Sequence, residues 1–340
     1  MISRIVRTLV LILVLIIAGE IGARLFWSVK YHRPFIGKPE LLYSFYPELK
    51  PVQRLKKPGR GNRLDVLILG GSVISNAWGN VSTVLTEELA LLTGRNIGVV
   101  NLARPAHTML DSYIKYARIG PYPFQVVAIY HGINDARTNN CPPDVFRSDY
   151  SHYSWYQDVN SLLNRHEAKY IVLPYTLEML SARIRERLGS RIVLPTAQPP
   201  RQWLEHGYDI KSIKSYSRNL ERIVDLAKLR NQRVLLMTFS FFKPDNYSAA
   251  AFKSRSLPYT LHSAALEAWG APEAVTKAIE SHNDVVKSMA GADSTHLFLD
   301  AANSIPHERA YYNDACHLTA RGCVVLGEAM ARVIAESFSP

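Results

Sequence analysis

Cysteine is scarce in this chain, with three in 340 residues. That number closes no disulfide framework, and no pair has the short spacing of a zinc site. Cys141 and Cys316 are the two that the motifs below would bring near each other. A bridge between them is conceivable, but two buried thiols are the simpler expectation. No Gly-Lys-Ser/Thr follows the one strand-end glycine pair, and no dinucleotide-type glycine pattern occurs, so phosphate-loop and dinucleotide readings fail on residues. No internal repeat is present. Acidic residues are sparse at one end only. Residues 1–64 hold 12 Lys/Arg against 3 Asp/Glu, so nearly all of the net charge of +11 lies there and the rest is close to neutral. That distribution excludes a nucleic-acid face on the globular part and suits an arm beside an anionic membrane, a solvated linker being the plain alternative.

What is present begins with an apolar run. Leu9 to Gly19 is uninterrupted, and the apolar character resumes to Trp27 around Glu20 and Arg24. Nineteen residues just span a bilayer as a helix. Glu20 and Arg24, four apart, can pair on one face near the interface. A cleaved signal peptide competes, with Ile21-Gly22-Ala23 as a poor cleavage site. The expectation is an uncleaved single-pass anchor over 1–30, a basic Pro- and Tyr-rich linker over 31–64, and the remaining domain outside the cytoplasm, periplasmic or on the cell surface. Arg4 and Arg7 favour a cytoplasmic N-terminus, although basic residues flank the other end too.

From Asp65 the pattern alternates. Short apolar runs at Asp65–Gly70, Ile97–Asn101, Gln125–Tyr130, Arg233–Thr238 and Leu297–Asp300 read as buried parallel strands. Helical patterns lie between and after them, at 81–93, 109–118, 217–231, 274–289 and 320–336. The expected domain, 65–338, is therefore α/β with a mostly parallel five-stranded sheet. Insertions at about 139–210 and 241–272 break the alternation and are expected over the ligand crevice. Tyr150, Tyr153, Trp155 and Tyr156 in the first insertion could stack on sugar rings, or pack the insertion's own small core.

Three motifs carry chemistry. Gly70-Gly71-Ser72 ends the first strand, where glycines allow a tight turn and the hydroxyl projects at the carboxyl edge. His131-Gly-Ile-Asn134-Asp135 ends the third, where the Asn134 amide can donate to an oxyanion or simply form an Asx-turn. His131 either lines that site or caps the strand end. Asp314-Ala-Cys-His317 precedes the last helix. There the carboxylate can meet one imidazole nitrogen while the other faces the serine, helix capping being the plain alternative.

Four blocks in order carry a resemblance: Leu69-Gly-Gly-Ser-Val73, Asn101-Leu-Ala-Arg-Pro-Ala-His107, His131-Gly-Ile-Asn-Asp135 and Asp314-Ala-Cys-His-Leu-Thr-Ala-Arg-Gly322. Together they resemble the GDSL-like (SGNH) hydrolases over about residues 65–335. The resemblance implies a flavodoxin-like three-layer α/β/α fold and a serine esterase. Ser72 would be the nucleophile, His317 the base and then acid, and Asp314 its orienting partner. The Ser72 N–H, the Asn134 side chain and an Ala106 N–H would form the oxyanion hole. Gly71 stands where many members have Asp, and Ala106 where the family has glycine. No metal or cofactor is implied. The expected substrate is an O-acyl ester, acetyl or short acyl, on a cell-surface glycan or a lipid. An O-acyltransferase would use the same residues, and a non-catalytic glycan-binding module is the non-enzyme alternative.

Overall fold

A computed structural model describes residues 2–55, 62–120, 122–189 and 199–338. Residues 56–61 of the expected linker and 190–198 of the expected first insertion lie outside the described residues. The longer helices are α1 (Ile2–Tyr31), α2 (Val81–Thr93), α3 (Met109–Arg118), α4 (Ser154–Asn164), α5 (Leu173–Arg187), α6 (Ile213–Leu229), α7 (Pro272–Ala292) and α8 (Ala320–Glu336). The strands are β1 (Arg63–Gly70), β2 (Asn96–Asn101), β3 (Val126–Tyr130), β4 (Arg233–Met237) and β5 (Leu297–Leu299). The chain divides into two units, one of residues 1–50 with 149–195 and one of 51–148 with 196–340. Most of the first insertion assembles with the N-terminal segment, a pairing that no local pattern announces.

The larger unit is a five-stranded sheet in the order β2-β1-β3-β4-β5, parallel throughout. Strands β1 and β3 are buried on both faces, which is why they read as unbroken apolar runs rather than as alternation. Helix α2 packs against α8, and α3 against α6, which also meets α7. These pairs cover the sheet in flanking layers, as the sequence led one to expect. Reversal of the strand order at β1 and β3 opens a crevice beyond their carboxyl ends. In open α/β sheets, ligands bind at such a point. Ser72 and Asn134 follow these two strands.

The smaller unit has its own core of Trp27, Leu41, Leu162, Ala168, Val172 and Tyr175. The second half of α1 is part of that core. Tyr150, Tyr153 and Tyr156 are buried, and Trp155 lies edge-on to Phe45 and Tyr46 at 5.4 and 6.0 Å. These aromatics pack the unit and are not a sugar platform. Glu20 and Arg24 pair as their spacing predicted, at 2.7 Å.

Candidate active site

The crevice at the end of β1 brings the motifs together. Ser72 opens a short 3₁₀ turn, Ser72–Ile74, so its own N–H has no acceptor within that turn. Its hydroxyl lies 2.9 Å from His317 Nε2. The other ring nitrogen, Nδ1, is 2.8 Å from Asp314 Oδ2. Asp314 is fully buried. Its Oδ1 accepts the N–H groups of Cys316 and His317 at 3.0 and 2.8 Å, and Oδ2 also accepts the Ala264 N–H at 3.0 Å. Backbone donors thus hold the carboxylate, and it fixes which imidazole nitrogen carries the proton: Nδ1–H toward Asp314, leaving the Nε2 lone pair for the serine.

Asn134 sits in the first turn of the short helix Ile133–Arg137. Its Nδ2 donates to His107 O at 3.0 Å, and its Oδ1 accepts from Trp269 Nε1 at 3.2 Å. The two partners fix the direction of the amide, and one Nδ2 hydrogen is left over. Ser72 and Asn134 line one cleft with Tyr130, His131, Ile133 and Phe239. Gly71 is needed for space rather than for its backbone angles. A Cβ there would stand 2.8 Å from Asn134 Nδ2 and 3.4 Å from His107 O.

The second block makes a tight turn. Ala106 has φ of 65°, in the left-handed region where an L side chain costs about 1–2 kcal/mol. Polar groups buried behind it hold that turn. Lys115 Nζ donates to Leu102 O and lies 3.0 Å from His107 Nδ1. Asp135 carboxylate oxygens accept the Met109 N–H in the first turn of α3, the nearer at 3.0 Å, where the helix dipole favours negative charge. Burial pushes the His107 and His131 pKa down to about 3, so both rings are neutral at pH 7. A neutral His107 can accept from the Lys115 ammonium. His131 is among the residues lining the cleft, and its ring Nε2 lies 2.7 Å from Ser112 Oγ.

Two residues near the triad were not anticipated. Trp78 stacks on the His317 ring at 4.0 Å between centroids, and Trp269 lies 6.1 Å away on the same ring. Trp269 comes from the second insertion, and nothing in its local sequence marks it as the partner of Asn134. The Cys141, Cys316 and Cys323 thiols are all free and buried. The Cys316 Sγ, Asp314 and His317 ligand atoms lie close enough together for a metal. Burial drives the Cys316 pKa well up, however, and a protonated thiol is a poor ligand.

No protein-family model matches the chain, and no curated protein matches it. Solved structures do. One is an acetylxylan esterase from Geobacillus stearothermophilus, 15% identical over 82% of this chain and 96% of that one, with a TM-score of 0.43. Another is an alpha/beta hydrolase enzyme from the metagenome of Lake Arreo, Spain, 13% identical over 82% of this chain and 97% of that one, with a TM-score of 0.44. Likeness this distant carries no chemistry from these proteins to this chain.

Proposed function

We propose that this protein is a membrane-anchored serine esterase acting on a short O-acyl ester of a surface glycan or lipid. The observation that carries the reading is the unbroken chain Ser72 Oγ, His317 Nε2, His317 Nδ1, Asp314 Oδ2, with links of 2.9 and 2.8 Å. As Ser72 Oγ attacks the ester carbonyl, its proton passes to His317 Nε2. The oxyanion that forms is met by the Ser72 N–H, the free Asn134 Nδ2 hydrogen and the N–H of Ala106. The carbon–oxygen bond to the alcohol then breaks, and Nε2 returns the proton to the leaving oxygen. Water repeats the sequence on the acyl-serine and releases the acid.

The anchor is part of the same reading. Arg4–Tyr31 is long enough to cross a membrane, and an 18-residue stretch within it has a mean hydropathy of 2.4. Contacts of its second half support a retained helix. The Glu20 carboxylate accepts the N–H groups of Val172 and Leu173 at 3.0 and 2.9 Å. Trp27 is buried with its Nε1 on Thr176 Oγ1 at 2.9 Å. Cleavage near Ala23 would strip the start of α5 of its acceptor, which supports an uncleaved anchor.

Labelling the full chain in detergent with a fluorophosphonate probe tests the reading. Wild type is expected to label and Ser72→Ala not to; a folded wild type that stays unlabelled sinks it. A second variant probes the oxyanion site. In Gly71→Ala the new methyl must push Asn134 off its two partners. The expected loss is roughly 100- to 1000-fold in kcat with KM little changed, the usual effect of one lost oxyanion donor. Wild-type turnover in Gly71→Ala would show that Asn134 contributes nothing there.

A further inference from the structure

Helix α5 is apolar on two faces. Val172, Tyr175, Thr176 and Ala182 face inward and are buried. A second stripe, Leu173, Leu177, Leu180, Ile184 and Leu188, repeats at three and four residues, which places all five within one narrow arc on the other side. Leu173 is covered by α1: a Cβ on Gly19 would stand 3.0 Å from its Cδ2. The rest of the stripe is bare, with Leu177 56%, Ile184 57% and Leu188 76% exposed. Of these two apolar stripes only the inner one has a core, and the outer one calls for a cover.

The place of α5 on α1 says what that cover is. From Arg4 to Ala18, α1 is exposed at every residue, and its packing begins at Gly19. At a rise of about 1.5 Å per residue, the free part of α1 matches most of a hydrocarbon core. With α1 as the anchor, its packed side meets protein from Gly19 and Glu20 onward, while Ile21, Leu25 and Val29 stay exposed on its other side. The Glu20 carboxylate is the acceptor for the first N–H groups of α5, and Arg24 Nη2 reaches Tyr170 O at 2.6 Å. The start of α5 is thus tied to α1 near the depth where lipid tails give way to headgroups. Arg185 and Arg187 are exposed beside the outer stripe in the last turns of α5.

We propose that α5 lies in the membrane interface, its Leu177–Leu180–Ile184–Leu188 stripe among the acyl chains and its flanking arginines among anionic headgroups. The proposal rests on α1 being a membrane anchor. An interfacial helix has this composition, with its apolar face sunk about 5–10 Å into the headgroup boundary. A second copy of the chain is a poorer occupant, since it would bring the same basic flank against itself. The consequence is a two-point attachment: α1 crosses the bilayer and α5 lies on it, restricting how the smaller unit can tilt.

The test is nitroxide accessibility in the full chain, reconstituted into vesicles of phosphatidylcholine and phosphatidylglycerol. Spin labels go on Leu177→Cys, Leu180→Cys and Ile184→Cys, on Arg185→Cys at the edge of the stripe, and on Leu13→Cys in α1. All five sites are exposed, and the native thiols are buried. The expected result is high oxygen and low nickel-chelate accessibility at 177, 180, 184 and 13, and several-fold higher nickel accessibility at 185. Nickel access at 177, 180 and 184 equal to that at 185, with 13 still in lipid, would overturn the interfacial helix and leave the anchor standing. Exclusion of both oxygen and nickel from the stripe would overturn it in favour of a protein cover. Nickel access at 13 would remove the anchor, and this proposal with it.

Discussion

Alanine at Ser72 or at His317 is expected to lower kcat/KM on a short-chain aryl ester by about a million-fold, while Asp314→Asn costs about ten-thousand-fold. The difference follows from what each group does. Ser72 and His317 act on the reacting atoms as one unit, so the double variant should be no worse than either single one. Asp314 acts through His317. In Asp314→Asn the amide must present its NH₂ either to the N–H groups that Asp314 Oδ1 now accepts or to the imidazole. If it faces the imidazole, His317 is driven to the opposite tautomer, with Nε2–H pointing at the serine it should deprotonate. The pH profile separates this from misfolding. A wrong-tautomer variant recovers part of its rate in alkali, where hydroxide substitutes for the base, whereas an unfolded one does not. Additive losses in the Ser72/His317 pair would show that the 2.9 Å contact between them is not used in the reaction.

The sheet was legible because its strands are fully buried. Runs such as Val66–Leu69 leave no other reading once they end in glycine, and the helices between them carry ordinary periodicity. Helices α2, α3 and α8 begin and end where their patterns do. The residues of the candidate site were legible for a related reason: each stands at a strand end or just before a helix, so topology brings them to one edge. What holds them was not. Trp269 reaches Asn134 across 135 positions of sequence, and Trp78 meets His317 across a still longer stretch. Such contacts depend on where an insertion folds back, and no local spacing encodes that. The smaller unit was obscured in another way. A helix with apolar residues on two faces has no single period, so α5 read as mixed composition. Its partner α1 lies some 150 residues away, joined through Glu20 to Val172 and Leu173. The left-handed Ala106 lies between these cases. The sequence marked the position as unusual, and the backbone adopts the positive φ that a glycine would take more cheaply.

The larger unit should lose stability steeply in mild acid, well before its carboxylates are titrated. His107, His131 and His282 are buried, and burial, the dominant cause in each, lowers their pKa to about 3. The Lys115 ammonium pushes His107 and His131 the same way. Asp111 pulls both the other way; at His107 that pull exceeds the downward push of the Lys115 ammonium, and at His131 it is the smaller of the two. In the unfolded chain a histidine titrates near 6.5. Between about pH 6.5 and pH 3, then, the unfolded state binds these protons and the folded state does not. Stability therefore rises with pH across that window, is complete above about 6.5, and is lost progressively below it. Each histidine contributes a slope of up to about 1.4 kcal/mol per pH unit, and three together about 4. By pH 5 the loss reaches up to about 6 kcal/mol, a large share of a typical total of about 5–15 kcal/mol. Urea midpoints measured from pH 8 to pH 5 check this. They should be level above neutrality and fall sharply below it, and His131→Gln, which keeps an acceptor for Ser112, should lessen the slope by the share of one histidine. Midpoints that stay level down to pH 5 would mean that these rings find water or a partner for their protons, and the neutral His107 that accepts from Lys115 behind the Ala106 turn would have to be abandoned.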